Sequence, residues 1–314
     1  MGFKVNASNL ALPAKEGLRA VVDDIAALRS GILTASATYD LASLGDGAGA
    51  TTTVYVPGAE LGDFAHASLG VSMQGISMTA YVSAPDVVSV RFQNESAGTL
   101  DLASSTLRVF VVPRRNVSKA YGADALFASA TVDVASLLDA GGATSSGITV
   151  TGAALGDFAF CSHGVDLQGI LTTAYVQAAD TVELRFQNET AGTIDLASTT
   201  SRVVVLPKAS VHKAFGGYVK QGSAVYDPAS LGDAAGATAT VTVSGAALGD
   251  FAFCSISLDA QDITITPYVS APNVVSVRFQ NESTGTIDLA SLTIRACAVP
   301  RGRIVDLAGQ VLSK

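Results

Sequence analysis

The tetrapeptide Phe-Gln-Asn-Glu begins at Phe92, Phe186 and Phe279, at intervals of 94 and 93 residues. Self-similarity at a fixed period limits a chain to a serial array of one unit. The flanks repeat with it: Pro85 to Ser104 matches Pro272 to Ser291 at 17 of 20 positions, and 12 of those 20 recur in Ala179 to Ser198. Upstream, Ala-Ser-Leu-x-Asp-x-x-Gly-Ala begins at Ala42, Ala135 and Ala229, and Leu-Gly-Asp-Phe-Ala begins at Leu61, Leu155 and Leu248. Three copies therefore span residues 36–113, 129–207 and 223–300. Linkers 114–128 and 208–222 join them, behind an N-terminal arm and helix (1–35) and ahead of a tail (301–314).

Within a copy, apolar and polar residues alternate with period two between turn residues, the mark of half-buried strands. Val88, Val90 and Phe92 share one face while Ser89, Arg91 and Gln93 share the other; Leu107, Val109 and Val111 repeat the pattern. Further strands are expected near residues 37–41, 52–56, 64–69 and 77–82. Six short strands in under 80 residues predict an all-β chain of three tandem small antiparallel β-sandwich or jelly-roll-like domains. The near-identical segment from Asn94 to Ser104 predicts an ordered loop. Such small units bury little surface alone, and the linkers are themselves related (Pro-Arg-Arg-Asn-Val-Ser-Lys-Ala-Tyr-Gly and Pro-Lys-Ala-Ser-Val-His-Lys-Ala-Phe-Gly). The copies are thus expected around a pseudo-threefold axis or in a short stack.

Ahead of the repeats, residues 13–30 read as a short helix, with Pro13 suited to its first position and Gly31 to its stop. Leu18, Val21, Ile25, Leu28 and Ile32 follow a three-four spacing. They form either a face packed on the chain's own β-structure or a docking or oligomerising seam.

Charged residues make up 15% of the chain and hydrophobic ones 48%, against roughly 25% charged in an ordinary domain. No apolar run reaches the ~18 residues of a spanning helix, so no membrane partner is expected. A surface this poor in charge suits a subunit covered by neighbours, including other copies of itself. The net charge of −8 argues against wrapping nucleic acid. Cys161, Cys254 and Cys297 have no metal-ligand spacing and read as small buried thiols of a reducing cytoplasm. The N-terminal residues lack the layout of a signal peptide.

No residue set invites catalysis, a cofactor or a metal. His66, His163 and His212 occupy different repeat positions, and His66 stands where the other copies have Phe160 and Phe253, which favours packing. Asp63, Asp157 and Asp250, and likewise Asp101, Asp195 and Asp288, read as turn residues. Asn94, Asn188 and Asn281 match the glycosylation sequon, but an Asn-stabilised turn explains the motif better. Arg91, Arg185 and Arg278 are expected on the polar face, in modest surface salt bridges or between subunits. Tyr81, Tyr175 and Tyr268 share one repeat position and leave a weak case for a host glycan. The basic residues Arg114, Arg115, Lys119, Lys208, Lys213, Arg301 and Arg303 follow the domains. A pseudo-threefold would gather them on one face that could dock onto an acidic surface.

At Gly-Asp-Phe-Ala, Thr-Ala-Tyr-Val-Ser-Ala-Pro-Asp-Val-Val-Ser-Val-Arg-Phe-Gln-Asn-Glu-Ser and Gly-Thr-Leu-Asp-Leu-Ala-Ser, the sequence resembles a β-domain that recurs in virion structural proteins of tailed phages and prophages. The resemblance covers residues 36–300 and carries over no catalytic residue. It implies a place on the surface of a virion assembled in the host cytoplasm. The partner would be the major capsid protein or another virion protein, and the role that of a capsid decoration, cement or head-spike protein. A tail-fibre or receptor-binding module that recognises host surface glycans is the alternative.

Overall fold

The computed structural model describes residues 31–304. The expected helix, with Leu18, Val21, Ile25 and Leu28, lies outside the described residues. Those residues are all-β, with strands in six small antiparallel sheets.

The first copy consists of β1 (Leu33–Tyr39), β2 (Gly49–Tyr55), β3 (Phe64–Leu69), β4 (Ser77–Ala84), β5 (Val87–Gln93) and β6 (Ser105–Val112). Sheet β1-β6-β3 faces sheet β2-β5-β4. Val54, Val88, Val90 and Phe92 from one sheet meet Leu107, Val109 and Val111 from the other, as the alternation predicted. The first strand starts earlier than expected, because Leu33 pairs with Val111 and closes the sandwich. The second copy has β7 (Leu126–Val132), β8 (Gly141–Thr144), β9 (Ile148–Thr149), β10 (Phe158–His163), β11 (Leu171–Ala178), β12 (Thr181–Asn188) and β13 (Thr199–Leu206). The third has β14 (Lys220–Tyr226), β15 (Gly236–Thr242), β16 (Phe251–Ile256), β17 (Thr264–Ala271), β18 (Val274–Gln280) and β19 (Leu292–Val299). Both repeat the strand order of the first.

The unequal repeat interval has a local cause. Along β12, Arg185 pairs with Thr144 and Val182 with Ile148, so four steps on one strand oppose three on the other. That one-residue β-bulge splits into β8 and β9 what is a single strand, β2 or β15, in the other copies.

The sandwiches are not separate beads. Edge strands β3, β10 and β16 touch one another, as do β4, β11 and β17, so the copies form a ring about a pseudo-threefold axis. Strands β6, β13 and β19 explain why the ring coheres. Val109 and Val111 point into their own sandwich, while Phe110 and Val112 point into a common core. Val204 and Leu206, and Cys297 and Val299, do the same from the other copies. A strand buried on both faces needs a continuous apolar run instead of alternation, and Val109 to Val112 is such a run. The linkers fold inward over this core. Helix α1 (Val117–Tyr121) contributes Val117, Ala120 and Tyr121, and the helical turn at Val211–Gly217 contributes Val211, Ala214 and Phe215. Ile32, the last residue of the expected docking seam, is buried in the same core.

Candidate functional site

Three equivalent seams join the copies, and two layers of side chains close on the axis. The first layer grows from the end of β5. Asn94 is fully buried; its Nδ2 donates to the carbonyls of Leu44, Gly45 and Gly98 at 2.8–3.0 Å, and its Oδ1 accepts from the Ser96 amide at 3.0 Å. Asn188 and Asn281 repeat the arrangement. The sequon asparagines are therefore turn residues, as expected, and their side chains are occupied.

The fixed turn aims the residues beside it. Arg91 donates to Gln93 Oε1, and Gln93 Nε2 donates to Glu95 Oε1 at 2.6 Å. The same guanidinium crosses to the next copy and donates to the Glu189 carbonyl at 2.6 Å. Arg185 reaches the Glu282 carbonyl at 3.3 Å, and Arg278 reaches that of Glu95 at 2.9 Å. The relay runs from copy one to two, two to three, and three back to one, so the ring closes across termini that no linker joins. Surface salt bridges were one expectation for these arginines. Arg185 forms one, with Asp262 of the third copy at 3.7 Å, but Arg91 and Arg185 are buried and Arg278 half-buried, because the polar face of each sheet is the face laid against a neighbour. Gly49, Gly142 and Gly236 are required here, since a Cβ on any of them would collide with the local Arg–Gln pair.

Glu95, Glu189 and Glu282 meet at the axis with carboxylate oxygens within 4.8 Å of one another. Burial, and then mutual repulsion, push Glu282 up to about 7. Burial with the nearby charge of Glu95 does the same for Glu189. Glu95 is raised by burial as well. The sequence does not display this triad, because one glutamate per copy forms no motif until the ring brings the copies together.

The second layer is aromatic. His66, Phe160 and Phe253 meet edge to face around the axis with ring centroids 4.9–5.2 Å apart. His66 Nε2 lies 2.6 Å from the Tyr121 hydroxyl, and burial lowers the histidine to about 3. The packing role read from its repeat position is the one the structure shows. These rings border an axial cavity of about 180 Å³, which Thr79, Thr173, Thr266, Cys161 and Cys254 also line. The three cysteines are free thiols, but only Cys297 is fully buried. Burial raises Cys161 to about 11 and Cys254 to about 12, so neither is a ready nucleophile. His163 lies 2.9 Å from Ser201 Oγ, a base-to-hydroxyl distance, yet Ser201 is wholly buried and burial lowers the histidine to about 4. No substrate reaches that pair.

The outer seams complete the contact. Ser68, Ser162 and Ser255 each donate to a glycine carbonyl of a neighbour, Gly249, Gly62 and Gly156 respectively, at 2.7–2.8 Å. The tyrosines are knobs and not sugar platforms: Tyr81 enters the core of the second copy, Tyr175 that of the third and Tyr268 that of the first. Asp63 is a turn residue, accepting from the Glu60 and Arg114 amides. Asp157 and Asp250 do likewise.

Of the basic candidates, Arg114, Lys208 and Arg301 occupy one equivalent position and pair with Asp63, Asp157 and Asp250 at 3.1–3.3 Å. Lys213 pairs with Asp124, Arg303 lies over the Tyr218 ring, and Arg115 and Lys119 are exposed. All follow the last strand of a copy, beside the linkers. Among the described residues no helix is long and apolar enough to cross a membrane. No protein-family model, curated protein or solved structure matches this chain.

Proposed function

We propose that this chain is a structural protein of a phage particle, a capsid decoration, cement or head-spike protein whose ring docks on the outer shell. The observation that carries this reading is ring closure within one chain: the seam between the third and first copies repeats the arginine and serine bonds of the two linked seams. Such a body offers a threefold surface as a monomer, and shells built by closed symmetry present matching threefold positions. In each copy the chain crosses between the two sheets at every connection except the hairpin of its fourth and fifth strands, and returns its last strand beside its first, the pattern of a jelly roll reduced to six strands. That order supports the finer reading of each sandwich. The linkers and basic residues gather at one region of the ring and favour it as the docking side.

The glycan-binding alternative loses the equivalent tyrosines that motivated it, since they fill neighbouring cores. Quantitative mass spectrometry of purified particles tests the proposal. Hundreds of copies per particle are expected. A handful would favour a fibre or spike, and absence from particles would overturn both.

A further inference from the structure

We propose that each seam of the ring carries a two-cation cleft that binds carboxylate groups of a partner protein: Arg202 with Arg114, Arg295 with Lys208, and Arg108 with Arg301. This rests on the docking role proposed above and names the chemistry of the surface that docks.

Each cleft takes one cation from the copy that supplies a Gly-Asp turn and one from its neighbour. At two of the three the pair converges on the turn glycine. A Cβ on Gly249 would meet Arg108 Nη1 at 2.7 Å and Arg301 Cδ at 3.4 Å. Gly62 lies against Arg202, and Gly156 lies against both Arg295 and Lys208. Arg114, Lys208 and Arg301 already have a partner in the buried aspartate of the turn. Their neighbours do not. Arg108 and Arg202 each make a single long bond, at 3.4 and 3.5 Å, to a carbonyl of their own strand. Arg295 Nη1 is buried with no partner. A guanidinium presents five donors, so each of these three arginines has most of its hydrogen-bonding capacity unused within the chain.

Burial disfavours the charge of Arg108 and Arg301 beside it disfavours it further, against the pull of Asp250; Arg202 is affected in the same way by burial and by Arg114, against the pull of Asp63. Yet the chain keeps an arginine here in all three copies. Two cations face one carboxylate at two of the seams, while Glu60 adds a second carboxylate at the seam of Arg114. An anion from outside would satisfy the free donors and the excess charge together. Carboxylates fit better than a polyanion. Three separate local clefts accept discrete acidic side chains arranged around a threefold.

The test is a solution NMR titration of the full chain at low salt, following the arginine Nε–Hε signals while a short polyglutamate peptide is added. Inorganic phosphate and a DNA oligonucleotide serve as parallel probes. Saturable shifts at Arg108, Arg202 and Arg295, with Arg91, Arg185 and Arg278 unmoved, are expected. The R108Q/R202Q/R295Q variant should bind the peptide about tenfold more weakly. The proposal is overturned if those signals do not move, if the triple variant binds equally well, or if phosphate or DNA binds more tightly than the peptide. The wild-type titration stands even if the variant does not fold. Particles that contain the protein while the clefts ignore the peptide would refute the clefts and leave the virion role intact.

Discussion

The aromatic and carboxylate layers both close on the pseudo-threefold axis, yet the copies differ in one and agree in the other. Around the aromatic layer the equivalent positions hold His66, Phe160 and Phe253, and behind them Phe110, Val204 and Cys297. Around the carboxylate layer they hold Arg, Gln and Glu three times over. The contacts explain the difference. Packing is non-directional, so any set of side chains that fills the volume serves, and a single chain can use three different ones. The arginine relay is directional: every donor has a particular acceptor, and one changed member leaves a buried polar group in the neighbouring copy unpaired.

The largest effect should come from the aromatic layer. Phe253 touches His66, Phe160, Phe110 and Phe215, residues of the other two copies and their linkers. Phe253→Ala should cost about 3 kcal/mol or more, as large-to-small core changes do. It should also lower the unfolding of the whole ring as one transition in denaturant. Separate transitions for separate copies would show that the axis does not couple them.

Next comes the relay. Arg185→Met keeps the apolar stem of the side chain but leaves Gln187 Oε1 and the Glu282 carbonyl without their donor and removes the ion pair with Asp262. A loss of about 2 kcal/mol is expected, and Arg91→Met should lose somewhat less, because Arg91 has no counterpart of the Arg185–Asp262 ion pair at 3.7 Å. Urea denaturation measures both, and no loss in either variant would show that the relay does not hold the seams.

Protons distinguish the layers with opposite sign. Glu189 and Glu282 rise from 4.5 to about 7 on folding. Between those values the folded state binds more protons than the unfolded one, so this layer loses stability as pH rises through that window. His66 falls from 6.5 to about 3. There the unfolded state binds more protons, so the aromatic layer loses stability as pH falls below 6.5. Thermal midpoints across this range should fall less on the alkaline side in E95Q/E189Q/E282Q, and less on the acid side in His66→Phe. The triad titrates as a coupled group, so a single glutamine variant should shift the window and not abolish it. An unchanged alkaline-side decline in the triple variant would falsify the axial meeting of the carboxylates.

How much of this was legible follows from the same contrast. The triplication, the strands and the inward faces of each sandwich could be read from repeats and alternation. The seams could not, because Ser89, Arg91 and Gln93 alternate with valines in the way a solvent-facing row does. Only the neighbour laid on that row turns it inward, and a neighbour 90 or so residues away leaves no local trace. Two signals were available. The run Val109-Phe110-Val111-Val112 abandons alternation where a strand is covered on both sides. Retention of Arg, Gln and Glu in every copy, against drift at flanking positions, marks contacts between copies. The candidate site was readable as three isolated residues and became a cluster only through ring closure.

The smallest effect lies at the tyrosine knobs, where the seams are not quite equal. Tyr81 accepts a bond from the Gly169 amide at 2.8 Å within the second copy, and the Gly75 backbone bonds Tyr268. At the remaining seam that glycine position is Asp262, and Tyr175 donates to Glu183 of its own copy at 2.9 Å. Glu183 replaces Ser89 and Ser276, so one local carboxylate has drawn the hydroxyl away from the crossing bond. Tyr81→Phe leaves a buried amide unpaired and should cost about 1 kcal/mol, whereas Tyr175→Phe frees a partly exposed carboxylate that water can solvate and should cost less. Denaturation of the two variants side by side measures the difference. Equal losses would mean that both knobs act through ring burial alone, and that the hydroxyls contribute nothing to the choice of neighbour.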